Sequence, residues 1–266
     1  MPLLTIVTVC FNAERTIVDT MRSVAAQDFD GYEHLIIDGG SKDRSVALAR
    51  AWATERTRIW SEPDEGLYDA MNKGIARATG TYIGFLNADD FFVRKDALSI
   101  LAQHLDQGSP AVSASVVIVK ETDPDTWVRS YSSLGFKPWM LRFGHMPPHP
   151  GFYARRDIFK EIGGFDTRFR IAADFDWMIR LHQGPYQLKA IPETLVALRE
   201  GGASNSGFSS RRRIAREAVE ALRKNRMVSM PLLMWAKYLA KAGQYVIPPL
   251  EYPAPSAVAY FPQDHK

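Results

Sequence analysis

Residues 84–92 read GFLNADDFF: an apolar run stops at an amide and two adjacent carboxylates, then resumes. Asp89 and Asp90 repel each other at a place whose neighbours belong to a core. Two carboxylates beside a strand end are hard oxygen ligands for Mg2+ or Mn2+, ions that share their shell with substrate phosphates. A divalent cation bridging a diphosphate would neutralise the acidic pair and a leaving group together. The competing meaning of Asn87–Asp90 is a turn that caps a helix from Ala97, and for that tetrapeptide alone the turn is the commoner one.

Order and spacing change the balance. Three earlier apolar runs also end in polar residues. The first leads from Thr8 to Asn12 and Glu14. The second ends in DGGSKD, with Asp38, Ser41 and Asp43. The third ends in Glu62, Pro63, Asp64 and Glu65. Four successive loops thus offer acceptors that suit a ribose, a base edge or a metal.

The elements that must carry these loops alternate. LLTIVTV (3–9), HLIID (34–38), RIWS (58–61) and YIGFLN (82–87) are short and apolar and read as buried strands. Helical periods separate them: Ile17, Met21 and Val24; then Val46, Ala49 and Ala53; then Leu67, Met71, Ile75 and Ala78. Leu98, Leu101 and Leu105 follow the last strand. This alternation predicts a parallel sheet covered by helices, with ligands beyond the strands' C-terminal ends. Farther on, 111–120 and 126–131 read as strands joined through Pro124. GHMPPHPGFYARRDIF is predicted to be a proline-rich loop leading into a short helix. ADFDWMIRL (173–181) reads as a helix with aspartates at its start, and YQLKAI with TLVALR as a final strand pair. EGGASNSGFSSRRR is a Gly/Ser loop ending in arginines.

A chain of 266 residues, 46% hydrophobic and 24% charged, suffices for one ordinary core with an appendage. A net charge of +3 gives no reason to expect a nucleic-acid partner. The excess is C-terminal, because basic residues outnumber acids from Arg211 onward. Cys10 is the single cysteine, so no internal disulfide forms, which fits a reducing compartment. The start MPLLTIVTVCFNAE lacks a basic segment and a long apolar run, and no stretch reaches the length of a membrane span.

TIVTVCFNAERTIVDTMRSVAAQDF, HLIIDGGSKDRS, SEPDEGLYDAMNKGIARATGTYIGFLNADD, HPGFYARRDIFKEIGGFD and ADFDWMIRL occur in the order seen in family 2 glycosyltransferases. The resemblance covers about Leu3 to Arg199. It implies the GT-A fold: a Rossmann-like, mostly parallel central sheet flanked by helices, here with a C-terminal helical extension. The expected division is a catalytic domain over 1–205, with a nucleotide-sugar half (1–108) and an acceptor half (109–205), followed by a basic loop, amphipathic helices and a Pro-rich tail over 206–266. It implies inverting transfer of a sugar from a nucleoside diphosphate donor, with a UDP-sugar favoured and Mn2+ or Mg2+ as cofactor. The acceptor would be a glycan or a polyprenyl-linked glycan in surface polysaccharide synthesis. The expected location is cytoplasmic or peripheral on the inner face of the plasma membrane.

Carried over residue by residue, Thr8, Asn12 and Glu14 match the first donor loop. Asp38 matches the acid that contacts base or ribose, and Asp64 the third rim position. NADD matches the DxD region, with Asp89 as metal ligand and Asn87 and Asp90 beside the donor. Asp174 matches the general base. Asn87 and Ala173 depart from the family pattern, at the first DxD position and at the glutamate preceding the base.

Other residues carry paired readings. Asp174 either caps its helix or takes a proton from the acceptor, and one residue can do both. Asp176 is a rival base or acceptor contact, or an i,i+4 partner for Arg180. His149, between prolines, is a candidate acceptor contact. Lys73 either reaches a phosphate or lies on a solvated helix face. Arg199 and Arg211–Arg213 either close over the diphosphate or, for the cluster, meet lipid phosphates. Two helices broken near Pro231 are expected at the C-terminus. In the second, Leu232, Trp235, Leu239, Ala242 and Val246 oppose Lys237, Lys241 and Gln244, which suits either an anionic membrane surface through 211–250 or packing on the catalytic domain. Among other functions, a sugar-phosphate nucleotidyltransferase lacks its Gly-rich basic loop in CFNAERT, and a dinucleotide dehydrogenase lacks its G-x-G-x-x-G. A non-catalytic membrane-surface module is the alternative outside enzymes.

Overall fold

The computed structural model describes residues 1–201 and 208–228. The first third alternates as β1 (Leu4–Cys10), α1 (Ile17–Ala25), β2 (Tyr32–Asp38), α2 (Ser45–Ala51), β3 (Thr57–Ser61), α3 (Leu67–Arg77) and β4 (Tyr82–Phe85). Every residue of β1, β2 and β4 is buried, as expected of strands covered on both faces. The remainder comprises β5 (Phe91–Phe92), α4 (Ala97–Asp106), β6 (Ala111–Val119), β7 (Trp127–Tyr131), a 3-10 helix (Pro138–Phe143), β8 (Phe152–Arg155), α5 (Arg156–Glu161), α6 (Ala173–Gln183), β9 (Leu188–Arg199) and α7 (Phe208–Lys224).

The strands form one sheet in the order β3-β2-β1-β4-β8-β6-β9-β5, with β7 also paired to β6. β3, β2, β1 and β4 are parallel, and their register places Cys10, Asp38 and Ser61 side by side at one edge. That alignment collects the first three loops on one rim. Beyond β4 the sheet is mixed: β8 is antiparallel to β4 and β6, whereas β6 and β9 are parallel.

Two elements differ from the sequence reading. The proline-rich segment before α5 contains β8, a four-residue strand at the centre of the sheet. It is too short, and too close to Pro147, Pro148 and Pro150, to announce itself. The expected final strand pair is one strand, β9. Its register against β6 jumps from Ala190 to Thr194, so Pro192 falls where no ladder bond is required. β5 and the 3-10 helix have no counterpart in the sequence reading.

One apolar cluster joins the halves. It contains Val7, Leu35 and Phe85 from the first half, Phe159, Phe165 and Trp177 from the second, and Ala218, Ala221 and Leu222 of α7. Phe159 stacks on Trp177 with centroids 4.5 Å apart. The first C-terminal helix therefore packs on the domain. The expected boundary near 205 falls between described segments. The second amphipathic helix and the Pro-rich tail also lie outside the described residues. No helix among the described residues is long and apolar enough to cross a membrane.

Gly84 faces Tyr153 across the β4–β8 ladder, and a Cβ there would overlap the buried tyrosine ring. Overpacking of this kind costs about 1–3 kcal/mol. Gly84→Ala is expected to lower stability by that amount in denaturant titration.

Candidate active site

The loops after β1 and β2 are tied together. Asn12 stands in the left-handed region at φ 49°, a conformation asparagine tolerates better than most residues. Its amide N–H donates to Ser41 Oγ at 2.8 Å, and its Oδ1 accepts the Lys42 N–H at 2.9 Å. Glu14 repeats the pattern: its N–H donates to Asp43 Oδ2, and its Oε2 accepts the Arg44 N–H. These reciprocal bonds fix the rim. Asn12 remains exposed and Glu14 partly so. Phe11, which the sequence reading passed over, is 63% exposed immediately after β1.

Asp38 is 1% exposed. It accepts the Gly40 and Ser41 N–H groups at 3.1 and 3.0 Å, Ser61 Oγ at 2.6 Å, and Ser41 Oγ. In the free protein these bonds let it organise the rim from beneath. Thr8 is also fully buried and hydrogen-bonds His34 Nε2 at 2.9 Å. Burial depresses the His34 imidazole to about 3, which keeps it neutral. Asp64 holds its own turn by accepting the Gly66 N–H at 2.8 Å. Lys73 donates to Pro63 O at 2.7 Å and pairs with Asp69 at 3.3 Å. It braces the third loop and is not the free phosphate ligand considered above.

The acidic loop between β4 and β5 is anchored from two elements, α1 and β9. Thr20 Oγ1 on α1 donates to Asp90 O at 2.7 Å. Ser23 Oγ accepts the Phe92 N–H at 3.2 Å. Arg199, at the end of β9 and 6% exposed, donates to Asp89 O at 3.0 Å, pairs with Asp19, and lies 5.0 Å from the Phe91 ring centroid. It is a buried brace and not a lid. None of these long-range partners is signalled by sequence spacing.

The two aspartates diverge. Asp89 is half-buried, and desolvation raises its carboxyl against the opposing pull of Arg199. Asp90 is 3% exposed and turned inward, where it accepts Asn87 Nδ2 at 3.3 Å. Burial, then the charge of Asp89, holds it well above the usual carboxylate range. The repulsion in the free protein is thus relieved by favouring the neutral form of Asp90, while Asp89 stays the more exposed carboxylate of the pair. Asn87 Oδ1 is buried without a hydrogen-bond partner among the described residues. That orphan acceptor beside Asp89 suits a hard cation. No group of three or more His, Cys, Asp or Glu able to hold a metal occurs among the described residues. A cation here would take most of its shell from phosphate and water.

Asp174 lies in the first turn of α6 and is half-buried. It makes no side-chain cap; the capping position is Ala172. Its Oδ1 accepts Tyr68 Oη–H at 3.1 Å and the Phe175 N–H at 2.8 Å. Its charge acts on Tyr131 and on His149. His149 in turn stacks on Phe85, the last residue of β4, at 5.5 Å. His149 Nε2 is buried without a partner among the described residues. Asp176 is corrected: it is fully buried and bonded to Arg180, Lys224 and Asn225, which leaves no oxygen for an acceptor.

With this geometry the comparisons become informative. The chain belongs to glycosyl transferase family 2, whose family model matches residues 5–171. It is a glycosyltransferase with the GT-A fold. A PGL/p-HBAD biosynthesis glycosyltransferase of Mycobacterium bovis is 28% identical over 91% of this chain and 94% of that protein. An uncharacterized glycosyltransferase of Mycobacterium tuberculosis is 33% identical over 67% of this chain and 68% of that one. Among solved structures, Staphylococcus aureus TarS 1-349 superposes with a TM-score of 0.61 at 15% identity, covering 84% of this chain and 65% of that one. The mannosyltransferase PcManGT of Pyrobaculum calidifontis, solved with GDP-Man and Mn2+, gives 0.61 at 20% identity, covering 97% and 73%.

A carboxyl held above its unfolded value costs the fold stability as pH rises from the unfolded value to that raised one, because the unfolded chain gives up its proton while the folded state still holds its own. Asp90→Asn removes this loss. It is expected to raise the metal-free Tm at pH 7 and to lose the advantage below about pH 4, where the unfolded carboxyl is also protonated. A gain of about 1 kcal/mol would move Tm by roughly 2–4 °C in thermal melts.

Proposed function

We propose that this enzyme transfers a sugar from a nucleoside diphosphate donor, with inversion, to a glycan or lipid-linked acceptor. The observation that carries the reading is the juxtaposition of Asp174 with the end of β4 through His149. It sets a carboxylate that has no cation partner among the described residues beside the strand that leads into the acidic loop. Asp174 takes the proton of the acceptor hydroxyl as that oxygen attacks the sugar's anomeric carbon. Asp89, with Asn87 beside it, holds the diphosphate side. A divalent cation bound there would stabilise the leaving diphosphate as a Lewis acid. Phe11 and Asn12 offer a ring face and an amide to the nucleoside, and His149 Nε2 a hydrogen bond to the acceptor. Separation of base and leaving-group site on two sides of the sugar is what inversion requires.

Neighbouring structures were solved with UDP-GlcNAc in TarS and with GDP-Man and Mn2+ in PcManGT, which supports a nucleotide-sugar donor and a divalent cation. UDP-sugars are the first donors to test. The relatives named for PGL/p-HBAD biosynthesis support a role in building a glycoconjugate.

The test is a thermal-shift screen of UDP-, GDP- and dTDP-sugars with and without Mn2+. A ligand at 100 times its Kd adds about 2.7 kcal/mol. One nucleotide class is expected to give a Mn2+-dependent shift that Asp89→Ala loses. Absence of a shift with every class would contradict the reading. Asp174→Asn is expected to keep the shift and lose at least about 100-fold in turnover.

A further inference from the structure

The turn leading into α6 is held from two sides. Tyr68, buried on α3, places Oη 2.6 Å from Ile171 O and 3.1 Å from Asp174 Oδ1, so one phenolic hydrogen serves two acceptors on the same turn. From the opposite element, Glu217 on α7 accepts the Ile171 and Ala172 N–H groups through Oε2 at 2.9 and 3.1 Å. Glu217 is 6% exposed. Helix starts leave N–H groups without partners, and α6 has no capping side chain of its own. A carboxylate some 45 residues away in sequence therefore does the work a local cap would do.

α7 is itself locked onto α6. Lys224 Nζ lies 2.9 Å from Asp176 and 2.8 Å from Asp166, and Asn225 Nδ2 donates to Asp176 at 2.8 Å. Ala218, Ala221 and Leu222 are buried against the shared core. The Asp176 carboxylate is fully buried, so losing Lys224 would leave its charge less compensated, and the pair ties α7 to α6.

The arrangement has a chemical consequence. Asp174 Oδ1 is occupied by the Phe175 N–H and by Tyr68. Among the described residues no hydrogen bond reaches Oδ2. The carboxylate is thereby oriented with one oxygen anchored and one open to a proton. We propose that Tyr68 and Glu217 are positioning residues for Asp174, clamping the 171–174 turn so that Oδ2 faces the acceptor. The inference rests on the reading of Asp174 as base. In the step it serves, the acceptor O–H proton passes to Oδ2 and the acceptor oxygen bonds to the anomeric carbon. The bond from that carbon to the diphosphate oxygen breaks, and its electron pair leaves with the diphosphate. Oδ1 keeps both hydrogen bonds throughout, so the base does not rotate as its charge is lost. The titratable groups around Asp174 are Tyr68 from α3, Tyr131 from β7, His149 from the loop before β8, and Glu217 from α7.

The experiment compares full-length wild type, Tyr68→Phe, Glu217→Ala, Glu217→Gln and Asp174→Asn. Nucleoside diphosphate release from UDP-, GDP- and dTDP-sugars with Mn2+ is one readout. Hydrogen exchange across 166–176, which needs no donor, is the other. Tyr68→Phe is expected to lower kcat about tenfold with donor KM changed less than twofold. Glu217→Ala is expected to lower kcat similarly, and Glu217→Gln, whose amide oxygen still accepts both N–H groups, to recover to within about threefold. Exchange at Ile171 and Ala172 should quicken at least tenfold in Glu217→Ala while β1 is unchanged. Unchanged exchange, or a loss of Tm with kcat intact, would overturn the clamp. Near-normal turnover in Asp174→Asn would instead sink the assignment of the base and the clamp with it. Should Glu217→Ala fail to fold, Tyr68→Phe decides, since it removes one oxygen and leaves the ring in place.

Discussion

A buried guanidinium holds the acidic rim together. Arg199 reaches from the end of β9 beneath the loop between β4 and β5, donates to the Asp89 carbonyl and pairs with Asp19 on α1. Two adjacent carboxylates at the margin of a core are tolerable because a cation lies under them and because Asp90 is held toward its neutral form. The same contacts fix where Asp89 sits relative to the strand ends of β1 and β4. Without that brace the loop would have to splay its charges into solvent, and the rim would lose the spacing that suits a diphosphate.

The acceptor side depends on a different kind of restraint. Its turn is fixed by hydrogen bonds that come from α3 and α7, elements far apart in sequence. The C-terminal helix is thereby tied to that turn and shares the core that joins both halves. Its exposed arginines, Arg212, Arg213 and Arg216, lie on the other face. The helix packs through one face and carries these basic side chains on the other.

The first hundred residues were legible because their periods are strong: apolar runs bounded by polar loops, then helical faces at regular intervals. The parallel register that follows aligns Cys10, Asp38 and Ser61, which is why the first three loops read from the sequence share one rim. What stayed hidden depends on contacts between distant residues. β8 is only four residues long and lies beside prolines, yet occupies the middle of the sheet. Thr8 and Asp38 had the right types at the right places but face inward, a distinction that side-chain alternation alone could not draw once the strands were buried on both faces. Asp176 looked like a rival to Asp174 because both open the same helix. Two residues on a helix point about 200° apart, and the structure turns Asp176 into the core. Tyr68 and Glu217 carried no local signal, since each acts on a turn more than forty residues away.

The central claim is that donor phosphates and acceptor base occupy two sides of one cleft at the end of β4. A crystal structure of the enzyme with UDP or GDP and Mn2+ tests it most directly. The account expects the cation at Asp89 with the diphosphate over the β4–β5 loop, the nucleoside beside Phe11 and Asn12, and Asp174 Oδ2 open toward the gap beyond the terminal phosphate. A nucleotide bound away from that loop, or a cation held by Asp64 and Glu62 instead, would contradict it.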